Sequence, residues 1–108
     1  MSVKIDRTRL QQRIAKGDIV VLEALPVTHW EQEHIPGAVA FPLDDIDGLA
    51  PQVIPERSTP VAVYCSNATC SNSHTVAERL LALGYTDVSR YVEGKEDWIG
   101  AGLPVEHG

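Results

Sequence analysis

Cys65 closes the run Pro60-Val61-Ala62-Val63-Tyr64-Cys65 and opens the polar stretch Ser66-Asn67-Ala68-Thr69-Cys70-Ser71-Asn72, which passes directly into a helical pattern from Ser73 to Leu83. A cysteine at the end of a buried strand, followed by small polar residues and a helix N-terminus, stands where backbone amides and the helix dipole hold an anion. Such a cradle favours thiolate over thiol. The expectation is a Cys65 pKa below the ordinary value of about 8.5 and a nucleophile at neutral pH. Ser66, Asn67, Ala68, Thr69, Ser71, Asn72, Ser73 and His74 are the candidate anion-binding residues, because the same amides would also bind the oxygens or sulfur of an anionic substrate. The competing interpretation of Cys65 is an inert cysteine packed at a strand end.

Cys70 is the second thiol of the loop. A persulfide or sulfenic acid on Cys65 would be open to attack by Cys70, closing a loop disulfide, if the two Cα atoms lie within about 7 Å. The alternative is a loop cysteine that only packs or lies exposed. Cys65, Cys70 and His74 also form a loose ligand set that zinc would complete from His29 or His34, but the spacings of five and four are not those of a finger or ribbon. No metal is expected. Trp30 and Trp98 are expected to pack. Asp44, Asp45 and Asp47 lack the glycine and terminal glutamate of a calcium loop and are expected to form a solvated helix start.

The elements that position these residues follow from hydrophobic period and punctuation. Thr8 with Gln11 suggests a capping box, Leu10 and Ile14 form an i, i+4 stripe, and Gly17 ends it, which predicts a helix over 8–16. Ile19-Val20-Val21-Leu22 is a short continuous apolar run of the kind buried on both faces of a parallel sheet. Residues 26–33 are predicted helical, with Pro26 in the first turn. A turn at His34-Ile35-Pro36-Gly37 leads to a strand at Ala38-Val39-Ala40-Phe41. Residues 43–53 are predicted as a short or broken helix, Val61–Tyr64 as the third strand, and Val76, Ala77, Leu80, Leu81 and Leu83 as the apolar face of the next helix, ended by Gly84. A fourth strand over 88–92, a turn at Glu93-Gly94 and a short helix over 96–101 complete the pattern. Strands alternating with helices predict an α/β domain with a mostly parallel sheet.

The chain of 108 residues fits a single domain over 1–108. Its formal net charge is −6, and the absence of a Lys/Arg cluster argues against nucleic-acid and anionic-membrane partners. No stretch approaches the roughly 18 apolar residues of a membrane span, and residues 1–7 have no apolar run of signal-peptide length. A cytoplasmic location with both cysteines reduced is expected.

Three segments together resemble the rhodanese, or sulfurtransferase homology, family. They are His34-Ile35-Pro36-Gly37-Ala38, the strand end Val63-Tyr64-Cys65, and Tyr91-Val92-Glu93-Gly94 with Trp98 and Ala101-Gly102-Leu103-Pro104-Val105. The match spans about 19–105. The resemblance implies a three-layer α/β/α domain around a five-stranded sheet. It further implies that Cys65 accepts sulfane sulfur as a persulfide from a small anionic or persulfide donor and passes it to a thiol or cyanide acceptor, with no cofactor. Three departures from the family pattern stand out. Cys70 occupies the place where an arginine is frequent in a loop that here is about two residues longer and has no Lys or Arg between Ser66 and Asn72. Glu23-Ala24-Leu25 replaces the family's frequent Asp-Val-Arg, so a supporting ion pair is expected to be lost. Glu93-Gly94-Lys95 replaces Gly-Gly before the final helix.

The missing guanidinium fork argues against phosphatase chemistry. The leading expectation is a sulfurtransferase acting through Cys65. The alternatives are a Cys65/Cys70 thiol–disulfide redox or sensor protein and a non-catalytic rhodanese module for protein interaction.

Overall fold

Short β-branched runs alternating with amphipathic segments give, in chain order, β1 (Val3–Lys4), α1 (Arg7–Lys16), β2 (Val20–Glu23), α2 (Val27–Gln32), β3 (Val39–Ala40), a 3-10 turn (Leu43–Asp45), α3 (Ile46–Val53), β4 (Val61–Tyr64), α4 (Asn72–Ala82), β5 (Val88–Tyr91) and α5 (Gly94–Gly100). This computed structural model describes residues 2–108. The strands form one all-parallel, five-stranded sheet in the order β1-β5-β4-β2-β3. Among the described residues, no helix is long and apolar enough to cross a membrane.

The side-chain period of two sorts each strand between two cores. Leu22, Val61, Val63, Cys65 and Val88 face one side, where they pack with Ile46 and Ala50 of α3 and Val76, Ala77 and Leu80 of α4. Val21, Ala62, Tyr64 and Tyr91 face the other, against Leu10 of α1 and Trp98 of α5. Helices on both faces make a three-layer α/β/α architecture and explain why β4 is buried at every residue. Cys65 follows Val63 by two, so it is directed toward α3 and α4. A one-residue slip of β4 would turn it to the opposite layer.

β2 and β4 are neighbours, yet the chain leaves β2 for the edge strand β3 before it returns to β4. The strand order therefore reverses at their carboxyl ends, Glu23 and Tyr64. That is the place where open α/β sheets form a ligand crevice.

Local punctuation differs from the sequence expectation at several points. The first helix is capped by Asp6, whose carboxylate accepts from the Arg9 amide at 2.7 Å, and Thr8 lies inside the helix instead of at a capping box. A carboxylate three residues before Arg9 satisfies an otherwise orphaned first-turn N–H and offsets the positive end of the dipole. Gly17, at φ 71°, ends α1 as expected. Pro26 precedes α2 as its N-cap instead of entering its first turn. α5 starts at Gly94, two residues earlier than predicted, because Lys95 and Glu96 donate their amides to the carbonyls of Cys65 (2.8 Å) and Ser66 (2.9 Å). β1 is absent from the hydrophobic pattern because it is only two residues long and both are exposed. Replacing Asp6 with Ala is expected to cost about 1 kcal/mol of unfolding free energy. Thr8→Ala is expected to cost far less, a difference measurable as urea midpoints at unchanged m.

Candidate active site

Cys65 leaves the end of β4 with only 2% of its surface exposed. Its sulfur lies 3.3 Å from the carbonyl oxygen of Cys70, to which the thiol donates, and 4.0 Å from the carbonyl of Asn67. The backbone N–H and the hydroxyl of Ser73 act on the same sulfur and favour its charged form. Ser73 is in the first turn of α4, so one of the orphaned amides of that helix is directed at the sulfur. The four residues between the cysteines are folded by Asn67. Its side-chain carbonyl accepts from the Thr69 amide (3.1 Å) and hydroxyl (2.7 Å), and its backbone carbonyl accepts from the Cys70 amide (3.2 Å).

The thiol does not have the depressed pKa expected from the loop sequence. Burial pushes it up from the ordinary value, and the adjacent Cys70 thiol pushes it further, while the Ser73 N–H and hydroxyl oppose them only in part. The resting state is thus a protonated thiol whose hydrogen is taken by the Cys70 carbonyl.

A buried ion pair supports this loop from below. The Lys95 ammonium lies 2.9 Å from Glu23 Oε1, with Glu23 wholly buried and Lys95 nearly so. Lys95 also donates to the carbonyls of His29 (3.1 Å) and Glu33 (2.5 Å) at the C-terminal end of α2, so its three protons have three acceptors. The Tyr64 hydroxyl donates to Glu23 Oε1 at 2.6 Å and accepts from the Ile35 amide at 3.2 Å. Burial, followed by the Glu23 carboxylate, pushes the Tyr64 pKa far up, which keeps the hydroxyl a donor. Glu23 Oε2 has no partner among the described residues. Gly94 completes the support. At φ 76° its missing side chain makes room for the loop: a Cβ would lie 2.5 Å from the Cys65 carbonyl oxygen and 2.8 Å from the Asn67 nitrogen.

Two hollows flank the loop and share Leu25. One of about 200 Å³ is lined by Ser66, Lys95, Glu96 and His29 among others, and an apolar one of about 430 Å³ runs between Leu25, Val27, Pro42 and Asn72. A family model described as the rhodanese-like domain matches residues 6–101. The chain belongs to this family. It is 28% identical over 98 residues to the thiosulfate sulfurtransferase GlpE of Coxiella burnetii, covering 91% of this chain and 88% of that protein. It is also 28% identical over 104 residues to an HTH-type transcriptional regulator of Mycobacterium tuberculosis, covering 96% of this chain but only 45% of the regulator's length. A Bacillus halodurans crystal structure shares the fold at a TM-score of 0.89 and 24% identity, over 98% of this chain and 77% of that one.

Within this rhodanese-like domain the sequence-derived loop residues divide. Cys65, Cys70 and Ser73 come together around one sulfur, and Asn67 shapes the turn between them. Asn72 is turned away and donates its amide to the Ala24 carbonyl at 2.9 Å. Ser66 borders the smaller hollow. Ser71 lies at the N-cap of α4 without a side-chain capping bond. Ala68, Thr69 and His74 are exposed. With Ser73 facing inward, the rotation of about 100° per residue carries His74 outward. His34, raised above as a metal ligand, stacks on Trp30 at 4.1 Å and donates from Nδ1 to the Trp30 carbonyl at 2.7 Å. No three His, Cys, Asp or Glu side chains cluster in metal-holding geometry among the described residues.

The expectation that an ion pair is lost with Glu23-Ala24-Leu25 is corrected here. Glu23 and Lys95, two of the departures from the family pattern, pair with each other. Their signal in the sequence was that both sit at motif positions, one at a strand end and one after the turn glycine. Lys95→Met is expected to cost about 3–5 kcal/mol by leaving the Glu23 charge buried and unpaired. The double variant Glu23→Gln/Lys95→Met is expected to recover most of that loss, and a double-mutant cycle on chemical denaturation checks the coupling.

Proposed function

We propose that this protein is a sulfurtransferase in which Cys65 takes sulfane sulfur from a small anionic or persulfide donor and passes it to a thiol or cyanide acceptor. The observation that carries the proposal is the buried Cys65 at the carboxyl end of β4, with the buried Ser73 of the first turn of α4 favouring its charged form. The likeness to thiosulfate sulfurtransferases supports it.

In the first half-reaction the Cys65 thiolate attacks the outer sulfur of thiosulfate. A new S–S bond forms, the donor's own S–S bond breaks, and sulfite departs with the electron pair, leaving a persulfide on Cys65. Ser73 and the free amides of the α4 N-terminus stabilise the negative sulfur that develops. An acceptor thiolate or cyanide then attacks the outer sulfur and restores Cys65. The loop has no Lys or Arg, and Lys95 has its protons committed, so the charge of the donor is met by amides and hydroxyls. Weak saturation by thiosulfate follows.

Incubation of reduced protein with thiosulfate is expected to add one sulfur by intact mass, and Cys65→Ser is expected to add none. The loading rate depends on thiolate. Because the folded thiol is pushed above its ordinary pKa, the rate is expected to climb as pH rises through and beyond the usual cysteine range, with no plateau near neutrality. Ser73→Ala removes one of two donors to a charged sulfur, worth ~1.5 kcal/mol, and is expected to slow neutral-pH loading about tenfold while moving the profile to higher pH. Stopped-flow loading rates across pH check both.

A further inference from the structure

We propose that Cys70 discharges the Cys65 persulfide within the chain, releasing hydrogen sulfide and closing a Cys65–Cys70 disulfide that an external dithiol reductant reopens by attack on Cys70. The proposal rests on the sulfurtransferase reading and assigns that site an internal acceptor and a reductant of stated class.

Three observations converge on it. First, the two cysteines already meet: the Cys65 thiol donates to the Cys70 carbonyl at 3.3 Å, and the Cys70 side chain is near enough to push the Cys65 pKa up. Second, the approach is built into the loop. Asn67 folds the intervening residues through its bonds to Thr69 and Cys70, and is itself tied to Glu96 by a bond of 2.9 Å from Nδ2 to Oε2. Third, exposure is divided between the sulfurs. Cys65 is 2% exposed, which hinders a bulky acceptor, whereas Cys70 is half-buried and meets solvent.

The step balances. The Cys70 sulfur attacks the inner sulfur of the persulfide, Cys65 Sγ. The bond between that atom and the outer sulfur breaks, and hydrosulfide leaves with the electron pair and the Cys70 proton. The outer sulfur is reduced by two electrons, and the two cysteines are oxidised to the disulfide by the same two. A dithiol reductant then attacks the accessible Cys70 sulfur, expels Cys65 as thiolate, and resolves its own mixed disulfide with its second thiol.

The test uses reduced protein and one equivalent of thiosulfate without oxygen or reductant, following intact mass and released sulfide. Wild type is expected to lose two hydrogens and release one sulfide per chain, while Cys70→Ser keeps one added sulfur on Cys65 and releases none. Sulfur retained equally in wild type and Cys70→Ser would overturn the internal discharge and leave the sulfurtransferase reading standing. No sulfur gained by Cys70→Ser and no sulfide from wild type would overturn both. For the return step, a thioredoxin lacking its resolving cysteine is the probe. It is expected to be trapped on Cys70, and trapping on Cys65 would overturn the assignment of the attacked sulfur.

Discussion

The Lys95–Glu23 pair is the constraint on which the site depends. One ammonium joins the end of β2, the last turn of α2 and the first turn of α5, while the Tyr64 hydroxyl brings the end of β4 to the same carboxylate. The backbone of Lys95 then reaches the Cys65 loop directly, because its amide holds the Cys65 carbonyl. A buried pair gives little net stability against an apolar replacement, since desolvation consumes most of the Coulomb attraction. Its consequence is geometric: carboxylate, phenol and ammonium are mutually satisfied only when all four segments are in register. The arrangement therefore fixes where the carbonyl of Cys65 points, and with it the direction of the sulfur.

This support explains the form of the loop above it. Gly94 must be glycine for two independent reasons, its φ of 76° and the space its missing Cβ leaves for the Cys65 carbonyl and Asn67 amide. Pinned at Cys65 and Ser66 by the start of α5, the loop has only its outer portion free to turn, and Asn67 closes that turn with three hydrogen bonds. The apolar layer containing Val63, Val76 and Leu80 continues beneath Cys65. Burial of the thiol is thus a property of the core, not an accident of loop conformation.

Legibility in the sequence followed physical range. β2 and β4 were visible because strands buried on both faces read as continuous apolar runs, whereas the face that Cys65 takes followed only from the two packed cores. β1 was invisible because Val3 and Lys4 are both exposed and bury no pattern; only the family resemblance supplied a fifth strand. Cys65 and Ser73 were legible as a strand end and a helix start. Glu23 and Lys95 were each visible as departures from a motif, but nothing local told that they meet, since that contact is made by the sheet order and the packing of α5. His74 stood among the anion-binding candidates through its proximity in sequence to the loop, which does not specify helical phase; α4 leaves it exposed.

Under the proposed function, the thiol environment makes one cysteine both sheltered and reactive. Burial opposes charge on Cys65, and the Cys70 carbonyl takes its proton, so the resting sulfur is neutral and closed to bulky electrophiles. Ser73 supplies two donors whose value rises as negative charge appears, because a hydrogen bond to an anion is stronger than one to a neutral sulfur. The same low dielectric that disfavours the free thiolate strengthens those donors once charge develops during attack. Reactivity is therefore conditional on a donor that draws charge into the cradle. One strand-to-helix loop then serves both states of the proposed cycle, because the atom that quiets Cys65 at rest belongs to Cys70, the residue proposed to attack it afterwards.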